Sequence, residues 1–517
     1  MKTMMRHISL LTAAFSLAAP LWSQPRPAAE AKPEAAAQPT PPPAAPKVEE
    51  KSSKTEHSLT IGGQTIQYTA VAGTIVLKKD DGTPTASIFY TAYTRDGVTD
   101  LSKRPLTFAF NGGPGSSSVW LQMGMLGPKR VALVPDGSKP EPPPYHFVDN
   151  EYSILDLTDL VFIDPVSTGY SRAVPESSAK DFHGFTGDLK SVAEFIRRYT
   201  TDHSRWGSPK FLAGESYGTT RAGALSGSLQ EHLGMNLNGI VLVSSALDFA
   251  TISFGPGNDL PYALFLPSYA ATAWYHKKLP ADLRAAGLEK VVDEARRFAG
   301  GPYQTALFKG TGLSQEERAA VVKNLARFTG LSPEFIEENN LRVSMDRFAK
   351  ELLRAERRTV GRYDSRVLGT DLDAGGDRPS YDPSYSAVQG PFTAAFNQYV
   401  RGELKFENDM PYEILTNKVW PWSFQEFENR YVNVTETLRD AMSQNPALRV
   451  FVACGYFDLA TPLYGAEYAV DHMLLDRSLR GHVTFGYYEG GHMLYTNLQS
   501  LAKAKQDLAK FYAGALP

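Results

Sequence analysis

The sequence predicts an α/β protein with a mixed, mostly parallel sheet, an antiparallel meander at its start and an inserted, mainly helical cap. Three observations carry that prediction. Residues 57–93 alternate apolar and polar side chains around the turn signals Gly62-Gly63 and Asp81-Gly82, the pattern of an antiparallel meander. Later runs, "LTFAFNGG", "DLVFIDPVSTG", "KFLAGES", "GIVLVSSALD", "LRVFVACGYFD" and "HVTFGYYEGG", are apolar without alternation and end in Gly, Asn, Asp or Ser. Strands buried on both faces, as in a parallel sheet covered by helices, read this way. Finally, roughly 200 residues part the fourth run from the fifth, far more than a crossover needs.

In chain order, residues 1–23 place Lys2, Arg6 and His7 around the start of an apolar run broken by Pro20. The run has about the length of a secretory h-region and falls short of the roughly 20 residues of a spanning helix. It predicts an export signal cleaved near Ser23, no stable membrane insertion afterwards, and a periplasmic or extracellular destination. Residues 24–56 are dominated by Pro, Ala, Lys and Glu, too poor in apolar side chains to pack, and are expected to be a disordered tether. The core is expected over 57–250 and 431–517, with "FTGDLKSVAEFIRRYT" as a crossover helix. The insertion, 251–430, contains "PADLRAAGLEKVVDEARRFA", "SQEERAAVVKNLARFT", "SPEFIEENN" and "MDRFAKELLRAERRT". These are helical by periodicity, with Ser314 and Ser332 as N-cap candidates. The insertion is expected to cover the carboxyl ends of the strands, where open sheets bind ligands. "DLDAGGD", Asp371 to Asp377, resembles a calcium loop, but Gly375 stands at a ligand position and an exposed polar loop is expected.

The chain has 517 residues, 42% hydrophobic and 21% charged, with a net charge of -3. That is a globular composition with no basic surplus for nucleic acid, so small substrates are the better expectation. Cys454 is the only cysteine, which excludes an intrachain disulfide. No partner pattern surrounds it, and it reads as a small buried apolar residue. No cofactor or metal is expected, and oligomeric state leaves no signal.

The chemistry centres on "GESYG", which fits G-x-S-x-G between an apolar strand and the small-residue helix "TTRAGALSGSL". Such a strand-turn-helix setting exposes a nucleophilic hydroxyl at the sheet edge, the glycines allowing close backbone approach. Ser216 is therefore the candidate nucleophile, a turn serine being the bland alternative. A hydroxyl needs a base, and the base an orienting acid. In α/β-hydrolases the order is Ser, acid, His. His472 falls in a helix-like run and His482 begins a strand, whereas His492 lies in the Gly-rich turn "EGGHMLY" after the last strand. Asp458 ends the preceding strand, while Asp471 and Asp476 fall in the next helix. Ser216, Asp458 and His492 are the expected triad. The oxyanion needs two backbone donors: Tyr217, following the nucleophile, and Gly113 in "NGGPGSSS", whose alternative reading is a tight turn.

"NGGPGSSS", "VDNEYSILDLTDLVFIDPVSTGYS", "GESYG", "GYFD" and "GGHM", in this order from about Asn111 to Met493, resemble the signature blocks of the serine carboxypeptidase family. The resemblance implies an α/β-hydrolase core with a cap, secretion, and removal of carboxy-terminal residues from peptide substrates. It also assigns Asn111, with its neighbour Gly112, and Glu215 to the substrate's terminal carboxylate. A glutamate can donate to a carboxylate only if one of the two is protonated, which fits the family's acidic working range. Pairing with Arg221 or capping the next helix are the structural alternatives for Glu215. Three positions depart from the family. Met125 stands where a second glutamate usually lies, which predicts a weaker requirement for a terminal carboxylate and a less acidic optimum. Ser116 replaces a frequent cysteine, in keeping with a bacterial-type secreted member, and Tyr456 replaces the first aspartate of Gly-Asp-x-Asp. The triad fixes an acyl-enzyme chemistry but leaves an esterase or acyltransferase, or a catalytically silent binding protein, as competing readings.

Overall fold

The computed structural model describes residues 48–516. The expected export signal (1–23) and most of the expected tether lie outside them. The tether ends earlier than 56, because the first strand, β1 (Ser52–Ile61), already pairs antiparallel with β2 (Gln64–Lys78), Ser52 facing Gly73. Its alternating Ser, Lys, Glu and His side chains form a polar edge that composition alone reads as linker. β3 (Pro84–Arg95) completes the meander.

All six apolar runs form strands: β4 (Leu106–Phe110), β5 (Asp159–Ile163), β6 (Lys210–Ser216), β7 (Gly239–Ser245), β8 (Arg449–Gly455) and β9 (Val483–Tyr488). The sheet runs β1-β2-β3-β5-β4-β6-β7-β8-β9, with a short strand Arg172–Ala173 also pairing with β3. β3 meets β5 antiparallel, and every pairing from β5 to β9 is parallel. The period of two sorts side chains onto two faces. Leu106, Phe108, Phe110, Leu212, Leu242 and Val452 pack with the helices Phe185–Asp202 and Tyr217–Leu233. On the other face Ala109, Phe211, Val241 and Phe451 pack with the C-terminal helix Leu498–Ala515. Truncating a fully buried ring such as Phe108 to alanine would cost about 3–5 kcal/mol.

The insertion between β7 and β8 has two parts. From Leu260 to Glu351 it is a body of short helices around Tyr269, Val291, Leu325, Ile336 and Phe348. Both expected N-caps form: Ser314 makes a capping box with Glu317, and the Ser332 hydroxyl accepts from the Phe335 N–H. The second part is not an independent cap. Helix Pro383–Gly402 joins the second face of the core, and residues 403–434 run as an irregular strap whose only helix is the short turn Gln425–Phe427. The strap bridges Ser116 through Leu415, Gly169 through Glu413 and Gly184 through Ser423. The loop "DLDAGGD" is largely exposed, as expected, except at Asp371, which turns inward. Asp371 pairs with Lys350 and accepts from the Thr359 and Ser380 hydroxyls, which binds this loop to the helical body.

Candidate active site

Ser216 sits between β6 and helix Tyr217–Leu233 with φ 59° and ψ -128°. A residue other than glycine in this region is strained and persists only where its surroundings enforce it. The flanking glycines leave room for it. A Cβ on Gly214 would lie 2.2 Å from the Gly218 carbonyl oxygen, and one on Gly218 would lie 2.7 Å from that of Phe110. As the first helical residue, Tyr217 has no intrahelical acceptor for its N–H. Gly112 passes so near that a Cβ there would come within 2.4 Å of the Tyr217 nitrogen. Gly113, at φ 99°, is the next residue of the same loop. The Tyr217 ring packs against Trp422, Phe249 and Phe424, so the insertion clamps the turn.

Asp458 and His492 meet although 34 residues apart. His492 Nδ1 lies 2.9 Å from Asp458 Oδ2, with both residues buried. Asp458 Oδ1 accepts the N–H groups of Ala460 (2.7 Å) and Thr461 (2.9 Å), while the Thr461 hydroxyl donates to Oδ2 at 2.8 Å. Burial alone would lower the imidazole's pKa, but the Asp458 charge and hydrogen bond outweigh it and hold the ring above its ordinary value. Among the described residues His492 Nε2 has no hydrogen-bond partner, and the ring shares one pocket with Ser216, Glu215, Asn111, Gly112 and Gly113. No Ser216–His492 hydrogen bond is formed; such catalytic bonds often tighten only with substrate bound. His472 instead bonds the Tyr468 carbonyl at the end of its helix, and His482 lies in a short turn before β9.

Glu215 points inward rather than to either structural alternative. Arg221 is occupied by Asp188 (2.7 and 3.1 Å) and by the Asn111 carbonyl oxygen (2.7 Å), which ties the glycine loop to the helix that follows Ser216. Glu215 caps no helix; its Oε2 accepts from the Tyr495 hydroxyl at 2.7 Å. Burial pushes its carboxyl up to about 7, against the opposing pull of His492 and of hydrogen bonds from Tyr495 and Asn111. Asn111 Oδ1 accepts the Leu121 N–H at 3.0 Å. Met125 is buried in the core and does not line the pocket.

Sequence reasoning missed Tyr363, Tyr385 and Leu415, which the insertion brings to the pocket wall, and Trp120. No local signal marks them, since they reach the site only through packing. Thr461 was legible in principle, because a Thr three residues after an Asp is in reach of its carboxylate. Cys454 is buried, as expected of an apolar residue. No cluster of potential metal ligands occurs among the described residues, and none of their helices is long and apolar enough to cross a membrane.

Residues 64–486 match the family model of serine carboxypeptidase. The chain belongs to the serine carboxypeptidase family. The sheet and its helical insertion are accordingly the α/β-hydrolase fold with a helical cap. Serine carboxypeptidase-like 13 of Arabidopsis thaliana is 28% identical over 152 residues, 28% of this chain and 33% of that protein. Serine carboxypeptidase-like 16 of the same plant is 34% identical over 114 residues, 21% of this chain and 24% of that protein. The chain thus matches a third or less of the length of these curated relatives. A prohormone-processing carboxypeptidase from Saccharomyces cerevisiae shares the fold, with a TM-score of 0.53, 17% identity, and coverage of 86% of this chain and 91% of that one. These relatives come from a plant and a yeast, so they lend no weight to a bacterial origin.

Proposed function

We propose that this family member is an exported serine carboxypeptidase that releases residues from the free carboxyl end of peptides. Ser216 Oγ attacks the scissile carbonyl carbon and His492 Nε2 takes the hydroxyl proton. Asp458 orients the ring and stabilises its charged form. The Gly113 and Tyr217 N–H groups receive the oxyanion. Collapse breaks the C–N bond, the leaving amine takes the proton from His492, and water then hydrolyses the ester on Ser216. Asn111, Gly112 and Glu215 hold the terminal carboxylate. Export rests on residues 1–23, and the absence of any second cysteine suits a bacterial-type secreted member.

The observation that carries this reading is the juxtaposition, in one pocket, of the strained Ser216, the Asp458-held His492 and a buried acid, Glu215, whose carboxyl burial pushes up to about 7. A simple esterase has no use for that acid beside its nucleophile. Incubating the purified protein with mixed peptides and weighing the products tests it. Ladders shortened one residue at a time from the carboxyl end are expected, and Ser216→Ala should lose them while keeping its circular dichroism. Products released only by transfer of an acyl group to an alcohol would mark an acyltransferase, and failure of a fluorophosphonate probe to label Ser216 would mark a silent binding protein.

A further inference from the structure

Tyr495 lies three residues past His492 in the short turn Leu494–Thr496 and is buried. Its ring occupies space that only a glycine at 124 leaves open, since a Cβ there would come 2.2 Å from Cε2 and 2.6 Å from Cδ2. Two positions 371 residues apart in the chain (495 − 124) therefore fit each other, and the fit delivers the phenol to Glu215 Oε2. A phenol hydroxyl carries one proton, and here it is donated to Oε2. Oε1 is then the oxygen that Tyr495 does not occupy.

We propose that Tyr495 is a positioning residue that makes Oε1 the acid oxygen of Glu215 and sets the upper pH limit for accepting a terminal carboxylate. This rests on the carboxypeptidase reading and extends it to a residue outside the triad and the glycine loop. With Oε2 accepting from Tyr495, the proton that Glu215 binds resides on Oε1 and is donated to the substrate's carboxylate. Once Glu215 ionises, two carboxylates face each other and binding fails. The groups acting on Glu215 are His492 and the hydrogen bonds from Tyr495 and Asn111, which favour its ionised form, and Asp458, which opposes it. Tyr495 faces Glu215 and Tyr363, and burial keeps its own hydroxyl protonated.

Tyr495→Phe tests this, because it keeps the ring and removes the donor. A hydrogen bond to a charged group is worth enough to shift its pKa by about one to two units when lost. The alkaline fall in kcat/KM for a peptide acid should move up by that amount, while the profile for the matching peptide amide stays in place. An unmoved limb, or equal shifts for acid and amide, would overturn the assignment. In a Glu215→Gln background the Tyr495 substitution should add no shift; a further shift there would also overturn it. Infrared spectroscopy follows the protonated carboxyl band that Glu215→Gln removes, without any substrate. That band should titrate higher in Tyr495→Phe even if the protein proves indifferent to terminal carboxylates, an indifference that would sink the carboxypeptidase reading alone.

Discussion

The ring of Tyr363 stacks on the ring of His492, centroids 4.9 Å apart and 20° from parallel, while the Tyr363 carbonyl accepts the His492 backbone N–H at 2.5 Å. A residue of the insertion thus holds the imidazole from two sides at once. Tyr363→Ala keeps the backbone bond and removes the stack. A loosened base costs on the order of 100-fold in rate when misplaced by about 1 Å. The expected result is a large fall in kcat with Ser216 still labelled, slowly, by a fluorophosphonate. Unchanged kcat would show that the backbone bond suffices.

Gly112→Ala is expected to be more damaging than an alanine at most surface glycines. Its methyl group would sit 2.4 Å from the Tyr217 nitrogen and 2.5 Å from that of Gly218, backbone atoms that cannot turn aside. Either the loop or the nucleophile turn must shift, so activity should fall by 100-fold or more, the scale of a lost oxyanion donor. Parallel measurement of probe labelling and thermal unfolding reads both effects. A fully active variant would refute the close approach.

Asp164, at the end of β5, makes stability depend on pH. Burial pushes its carboxyl up to about 7, opposed by the Ser118 N–H that Oδ1 accepts at 2.8 Å. Oδ2 is buried without a partner. The folded state keeps this proton until about pH 7, whereas the unfolded chain releases it near 3.8. Its contribution is therefore full below the unfolded value and is lost as pH rises toward 7, by roughly 4 kcal/mol. Glu215 acts in the same direction. Asp164→Asn should flatten the decline in denaturant midpoint between about pH 4 and pH 7, and an unchanged slope would contradict the burial argument.

Buried Cys454 predicts a silent thiol. Burial raises its pKa well above the ordinary thiol value, so little thiolate exists to react. Iodoacetamide should modify it only after unfolding, and Cys454→Ala should retain activity. Rapid native labelling would show that the strand β8 opens.

Most of the frame was legible because its signals are local. The six apolar runs became the six parallel strands, and Ser314 and Ser332 became caps, since burial on both faces and end-capping are written in neighbouring residues. Composition misled at residues 52–56, where an edge strand needs few apolar side chains once β2 supplies its hydrogen bonds. The insertion was legible in its helices but not in its division, because helix Pro383–Gly402 is placed by the partner surface it finds, around Trp120 and Phe147, rather than by its own pattern.

By itself the sequence determined that Ser216 is bent into a strained turn between strand and helix, and it pointed to Asp458 and His492 as the residues that would pair, because glycine spacing and strand ends act within a few residues. Tertiary structure alone decided the company these groups keep. Arg221 went to Asp188 rather than to Glu215, Tyr363 reached His492 from the insertion, and Tyr495 entered the gap beside Gly124. The reason is physical: the charge state of a buried carboxyl follows from the water removed around it by every segment that packs there, and no single stretch of chain holds that information.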